Sequence, residues 1–344
     1  MTSEQLVPEW RERAAQLGLT ADVVRALSRQ EQSISLDAGL VERLAELLAS
    51  PAGLTQLRST FTRRDVVQAF CERLPAAAEV RVSDVERLAD AFLHSPHAVV
   101  LAEGERCELL RRRDGHAIPG AAVERSYSTP ELLTLERRIL DYATGGRGAR
   151  RAVARPQVTE RAIARRASLS GEQAEMVRRL TTDGDAVAVV VGQAGAGKTF
   201  ALGVAREAWE ASGRRVYGAA LARRAARELE DGAGIPPTSI AALLAALDRR
   251  PSSTLPLRSV LVLDEAGMLP TRQLAQLVEH AQRRRVKLVL VGDHRQLPSI
   301  GAGGAFQASQ ARLPAIVLKE NRRQAAAWER DALASFATAT RKKR

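Results

Sequence analysis

The chain has 344 residues, 45% of them hydrophobic, which leaves room for about two domains with real cores and excludes wholesale disorder. Aromatic residues make up only 3%, so those cores must be built from Ala, Leu and Val. Lys and Arg outnumber Asp and Glu 52 to 40, for a net charge of +12, which points either to an anionic partner, most commonly nucleic acid, or to a plain compositional preference for Arg and Ala.

Two cysteines, Cys71 and Cys107, without a CxxC or CxxH pair, give no zinc site or disulfide framework and fit a reducing compartment. The start, Met1-Thr2-Ser3-Glu4-Gln5, lacks the basic and apolar regions of a signal peptide. Apolar runs such as residues 186–191 are far below the ~20 residues of a membrane span. A cytoplasmic protein without membrane insertion is expected.

Residues 1–50 read as a helical segment without a chemical signature, with apolar residues at helical spacing in 22–27 and 40–48. Residues 51–143 read as a smaller helical, winged-helix-like α/β module, or as a structural spacer. Thr62 and Asp65 form a capping box ahead of 66–70, and Ser83 and Glu86 repeat the device ahead of Leu88 and Phe92. Residues 98–101 follow as a strand, Gly104 as a turn, and 107–112 as the hairpin partner; Asp114-Gly115 marks another turn. Thr129 caps a further helix with Pro130 at its first position and Glu131 in its first turn. Residues 144–167 read as a basic linker, with Gly145, Gly146 and Gly148 among Arg147, Arg150, Arg151, Arg155, Arg161, Arg165 and Arg166. These arginines either touch phosphate backbone or form a solvated charge run.

The pattern changes at residue 168. Strand candidates at 186–191, 215–219, 260–263 and 287–291, built on continuous apolar runs, alternate with helix-compatible stretches, the signature of an α/β fold with a parallel sheet flanked by helices. This domain is expected to span 168–330, with 331–344 a basic tail ending Arg341-Lys342-Lys343-Arg344.

Gly192, Gln193, Ala194, Gly195, Ala196, Gly197, Lys198 and Thr199 match GxxxxGK[ST] at every fixed position, between a strand and a helix. The glycines let backbone N–H groups wrap a phosphate, and the helix N-terminus adds partial positive charge. Lys198 reaches the β- and γ-phosphates of ATP, and the Thr199 hydroxyl binds Mg2+. The strand at 260–263 runs into Asp264 and Glu265, at the strand ends where open α/β sheets bind ligands. Asp264 would hold Mg2+ through water, and Glu265 would orient and deprotonate the attacking water. The run Gly292-Asp293-His294-Arg295-Gln296-Leu297-Pro298 brings a polar loop to the same edge, with Gln296 placed to sense the γ-phosphate.

The P-loop, the Asp-Glu-Ala pair and Gly-Asp-x-x-Gln-Leu-Pro together resemble motifs I, II and III of superfamily 1 DNA helicases. They are most similar to the RecD-like branch and to the helicase region of TrwC/TraI-type conjugative relaxases. The resemblance covers residues ~50–330 and implies a P-loop NTPase with a RecA-like sheet. It also implies that Gln173, in Leu169-Ser170-Gly171-Glu172-Gln173, recognises adenine, while Ser170 and Gln173 at the same time suit a helix start. Lys319-Glu320-Asn321-Arg322-Arg323-Gln324 resembles motif IV, which makes Arg323 an arginine finger.

The match departs at 219–226, where the family's proline and hydroxyl residue for gripping single-stranded DNA are replaced by Ala219-Ala220-Leu221-Ala222-Arg223-Arg224-Ala225-Ala226. Thr238, followed by apolar 240–244, resembles the next DNA-contact motif. The scattered histidines His94, His97, His116, His280 and His294 do not suit a relaxase metal centre. About twenty residues follow Arg323, too few for a second RecA-like domain. The expectation is an ATP-binding motor half that binds Mg-ATP and DNA. Its hydrolysis would be weak or would depend on a missing second domain, and the partners expected are DNA and either a second chain supplying that domain or conjugation machinery; a catalytically idle ATP- and DNA-binding module or truncated remnant is the alternative.

Overall fold

In a computed structural model, the described residues are 10, 12–20, 23, 37–75, 78, 80–102, 110–111, 117–118, 124–193, 195–293 and 301–319. The chain divides into two compact units: Met1–Leu54 with Phe61–Tyr127, and Thr55–Thr60 with Ser128–Arg344. None of the described helices is long and apolar enough to cross a membrane.

The first unit packs three helices, Ala38–Ala49, Arg63–Arg73 and Val82–His94, through Leu48, Val66, Phe70, Ala89 and Phe92. Thr62 and Asp65 form the expected capping box. The next helix starts earlier than Ser83 predicts: Asp84 accepts the Arg81 N–H, so the helix begins at Val82. The strands also pair differently from a simple hairpin. β1 (Val99–Ala102) pairs with β4 (Ser126–Ser128), while β2 (Leu110–Arg111) and β3 (Ala117–Ile118) form a short antiparallel pair of their own. Phe61 bridges Tyr127 in antiparallel fashion and stacks on its ring at 6.0 Å.

The second unit is built on a six-stranded sheet that is parallel throughout. β5 (Val187–Gly192), β6 (Val216–Ala220), β7 (Pro237–Ser239), β8 (Val260–Asp264), β9 (Lys287–Gly292) and β10 (Ile316–Leu318) lie in the order β10-β5-β9-β8-β6-β7. Successive side chains of a strand point to opposite faces, and both faces are covered, so alternate apolar residues enter two separate cores. Val189, Leu261, Leu263, Leu288 and Leu290 meet helices Pro130–Gly145, Ile240–Arg249, Thr271–Arg284 and Ala305–Arg312 on one side. Val190, Val260, Val262, Val289 and Val291 meet Pro156–Ala164, Gly171–Thr182, Lys198–Ala211 and Arg223–Ala233 on the other. The result is the α/β layering expected from the apolar runs, with the RecA-like sheet that the family resemblance implied.

The helix capped by Thr129, Pro130–Gly145, belongs to this unit rather than to the preceding module, because Ile139 and Ala143 are part of its core. The stretch read as a linker is likewise stitched down. Arg151 N–H donates to Gly184 O at 2.7 Å and Ala154 N–H to Thr181 O at 2.8 Å. The indole of fully buried Trp209 donates to Ala152 O at 2.8 Å, and residues 156–164 form a helix with Ala162 in the core.

Candidate functional site

Three parallel strands deliver the chemistry to one edge. β5 ends at Gly192, β9 at Gly292 and β8 at Asp264, with Val191 opposite Gly292 and Leu263 opposite Leu290. β9 therefore lies between the phosphate-loop strand and the acidic strand, which sets their ends two strand spacings, about 10 Å, apart.

After Gly192 the chain turns through Gly195 (φ 85°) and Gly197 (φ 74°), both left-handed, a region in which glycine carries no side-chain penalty. Gly197 is the N-cap of the helix Lys198–Ala211. Lys198 folds back over the loop, its Nζ donating to Gly192 O at 2.5 Å and Gln193 O at 3.1 Å. Burial pulls the Lys198 pKa down, opposed by the charges of Asp293 and Asp264. Thr199 follows it in the first turn. Ala194 lies outside the described residues.

Asp264 and Glu265 are half-buried. Burial raises the Asp264 pKa above the usual carboxylate range; the Glu265 N–H, which donates to its Oδ1 at 2.9 Å, and Lys198 oppose this. Glu265 is pushed up by burial, then by Asp264 and Glu228, with the Ala222 N–H donating to its carboxylate. Its Oε2 is buried without a hydrogen-bond partner among the described residues, and its backbone is left-handed at φ 53°. A non-glycine residue there costs roughly 1–2 kcal/mol, and such strain clusters at functional sites. Two carboxylates penalised by burial, an orphaned oxygen and a glycine-lined loop beside an ammonium together suit a phosphate chain carrying a divalent cation.

Gln173 is brought to the loop, but not with a free amide. It is 2% exposed; its Oε1 accepts the Ser170 N–H at 3.0 Å and its Nε2 donates to Ala196 O at 3.2 Å. The capping box expected of Ser170 and Gln173 is present. Gln296 and Arg323 lie outside the described residues. Sequence reasoning missed Asp293 as a charge acting on Lys198, and it missed Ala222 and Glu228 beside Glu265. The Asp293 position was visible in the loop motif, whereas nothing local marks Ala222 or Glu228.

Comparison with known proteins follows the same lines. The chain is 34% identical over 321 residues to a probable conjugal transfer protein TraA of Sinorhizobium fredii, a match that covers 93% of this chain and 28% of that protein. It is 37% identical over 218 residues to conjugal transfer protein TraA of Rhizobium radiobacter, covering 62% of this chain and 19% of the relative. The Agrobacterium fabrum TraA is 36% identical over 227 residues, covering 59% and 20%. The chain thus spans less than a third of the length of these relatives. The profile of the AAA domain family matches residues 168–343, the stretch that carries the parallel sheet and the phosphate loop, and the chain belongs to that family.

Proposed function

We propose that the unit built on the parallel sheet binds Mg-ATP and serves as one motor half of a superfamily 1, RecD-like DNA helicase that acts on DNA during conjugal transfer. The observation that carries this reading is the convergence of Gly192, Asp264 and Gly292 at the ends of adjacent parallel strands, with Lys198 under the charge of both Asp293 and Asp264.

In this reading Lys198 releases the loop carbonyls and neutralises the β- and γ-phosphates. Thr199 and Asp264 hold Mg2+, which supplies charge neutralisation at the transferred phosphoryl group. Glu265 takes the proton of the attacking water, a task suited to a carboxylate raised by burial. Gln296 senses the γ-phosphate and Arg323 stabilises charge on it. Gln173 braces the loop through Ala196. The helices and short strands of the first unit form a winged-helix-like module that assists DNA binding. The similarity to proteins named for conjugal transfer supports conjugation as the setting, and a cytoplasmic location follows from that role.

ATP turnover measured with and without single-stranded DNA, for the wild type and Lys198→Ala, tests the proposal. DNA-stimulated turnover that disappears in the variant supports it. ATP binding without turnover under any condition would reduce the chain to an idle binding module, and absence of ATP binding would overturn both.

A further inference from the structure

The sheet edge opposite the phosphate loop carries a second concentration of charge. β6, β8 and β9 begin at Val216, Val260 and Lys287, which are in register: Val216 opposite Val260, and Val260 opposite Lys287. Two residues before each start stands an arginine, Arg214, Arg258 and Arg285. Arg150 and Arg151 continue the row at the next position, because the Arg151 N–H is bonded to Gly184 O just ahead of β5. These five arginines line a depression of about 280 Å3 whose remaining lining residues are Ala149 and Ala152, so its wall has no acidic residue.

Several arginines elsewhere in this unit have carboxylate partners, among them Arg166 with Glu207, Arg178 with Glu160, Arg206 with Glu210 and Arg272 with Glu131. None of the five has one among the described residues. Arg151 Nε and Nη1 and Arg214 Nε are buried without a hydrogen-bond partner among those residues. Arg150, Arg258 and Arg285 also sit in left-handed backbone, at φ 53°, 60° and 54°. Like charges crowded together, donors left unsatisfied and strained backbone all cost free energy, and a bound anion relieves the first two. The planar guanidinium fork suits phosphate oxygens.

The spacing selects among phosphate ligands. Neighbouring strands lie about 4.8 Å apart, so a row across four of them extends about 15 Å, longer than one phosphate and suited to several in succession. No aromatic side chain lines the depression, so nothing there stacks on or reads a base. We propose that this edge binds the phosphodiester backbone of a single DNA strand, independent of sequence, on the side of the sheet opposite the nucleotide loop. The proposal rests on the DNA-binding reading above and adds a contact surface to it.

The test is fluorescence anisotropy of a labelled oligothymidylate with the full chain over a salt series. The wild type is compared with Arg214→Ala/Arg258→Ala/Arg285→Ala and with the same three positions changed to Lys. Each single-strand phosphate contact contributes about 0.7 to the slope of log K against log salt. The alanine variant is expected to bind at least ~10-fold more weakly at low salt, with the slope reduced by about 2, and the lysine variant to keep the slope. A fluorescent ATP analogue should bind all three alike, which also reports folding. Wild-type DNA affinity and slope in a folded alanine variant overturn this site and leave DNA binding itself standing. Absence of DNA binding by the wild type overturns both, with ATP binding judged separately. If the alanine variant does not fold, phenylglyoxal modification of the wild type decides: oligothymidylate should protect the exposed Arg150, Arg258 and Arg285, and unchanged modification overturns the site.

Discussion

The Gln173 side-chain amide donates to the carbonyl of Ala196 at 3.2 Å, tying the start of the helix Gly171–Thr182 to the middle of the phosphate loop. The same amide accepts the Ser170 N–H, so both of its polar ends act within the protein. Gln173→Ala should weaken ATP and GTP binding to a similar degree, about 5–10-fold, from losing buried hydrogen bonds worth about 1 kcal/mol each. Titration with fluorescent analogues of both nucleotides checks this. A loss confined to ATP would instead assign Gln173 to adenine recognition.

Gly197, next to Ala196, leaves the space that the Gln173 amide occupies. A Cβ there would stand 2.1 Å from Gln173 Nε2, at a backbone φ of 74°. Gly197→Ala should abolish measurable nucleotide binding and lower stability by at least about 1–2 kcal/mol, the left-handed penalty alone. The double variant with Gln173→Ala removes the clash but not the backbone penalty, so it should unfold between Gly197→Ala and the wild type in urea. Equal stability of the single and double variants would show that the clash has no energetic weight.

The acidic pair predicts a metal dependence. Burial holds the folded-state pKa of Asp264 above its unfolded value, so its ionised form burdens the fold increasingly as pH rises above the usual carboxylate range. Asp264→Asn should therefore leave metal-free stability at pH 7 unchanged or higher. Mg-ATP should stabilise the wild type by about 2.7 kcal/mol at a hundredfold excess over Kd, seen as a higher unfolding midpoint, and stabilise the variant far less. Thermal unfolding with and without Mg-ATP and chelator measures both. A destabilised metal-free variant would contradict the burial argument.

Lys287 opens β9 at 0% exposure, and its Nζ has no hydrogen-bond partner among the described residues. Burial lowers its pKa to about 8, against the opposing charges of Asp185 and Asp183. Between about pH 8 and 10.4 the unfolded chain holds the proton that the folded chain has lost, so wild-type stability rises with pH across that window. Lys287→Met should stabilise the protein at pH 7 by up to about 3 kcal/mol, and the gain should fade above about pH 10. Urea unfolding at the two pH values checks the sign; an equal gain at both would remove titration as its cause.

Arg272 holds the short segment Thr55–Thr60 to the α/β unit. Its guanidinium reaches both Glu131 oxygens at 2.7 and 3.1 Å, Thr55 O at 2.7 Å and Thr55 Oγ1 at 2.8 Å. Arg272→Ala should cost about 2–4 kcal/mol, since it leaves partly buried acceptors unpaired. Arg272→Lys should recover only part of this, because an ammonium lacks the fork. Urea unfolding of the three proteins checks the order, and a lysine variant as stable as the wild type would refute it.

Local features were legible in the sequence because their causes are local. The phosphate loop shows in its glycines and Lys198, the strands in continuous apolar runs, and the helix starts at Thr62, Thr129 and Ser170 in a side chain that reaches three residues along. The helix expected from Ser83 begins instead at Val82, because the Asp84 carboxylate accepts the Arg81 N–H.

What only the tertiary structure decided depends on which segments meet. The sequence places β9 after β8, but the sheet inserts it between β8 and β5, because a parallel strand returns by a helical crossover that can land at any free edge or gap. The same freedom carries Gln173 to Ala196, Ala222 to Glu265, and the helix Pro130–Gly145 onto the far face of the sheet. It also gathers arginines from residues 150, 151, 214, 258 and 285 onto one edge. Spacing along the chain records hydrogen bonds and packing within a few residues; pairing between distant strands is set by burying both faces of the sheet at once, a condition no single segment contains.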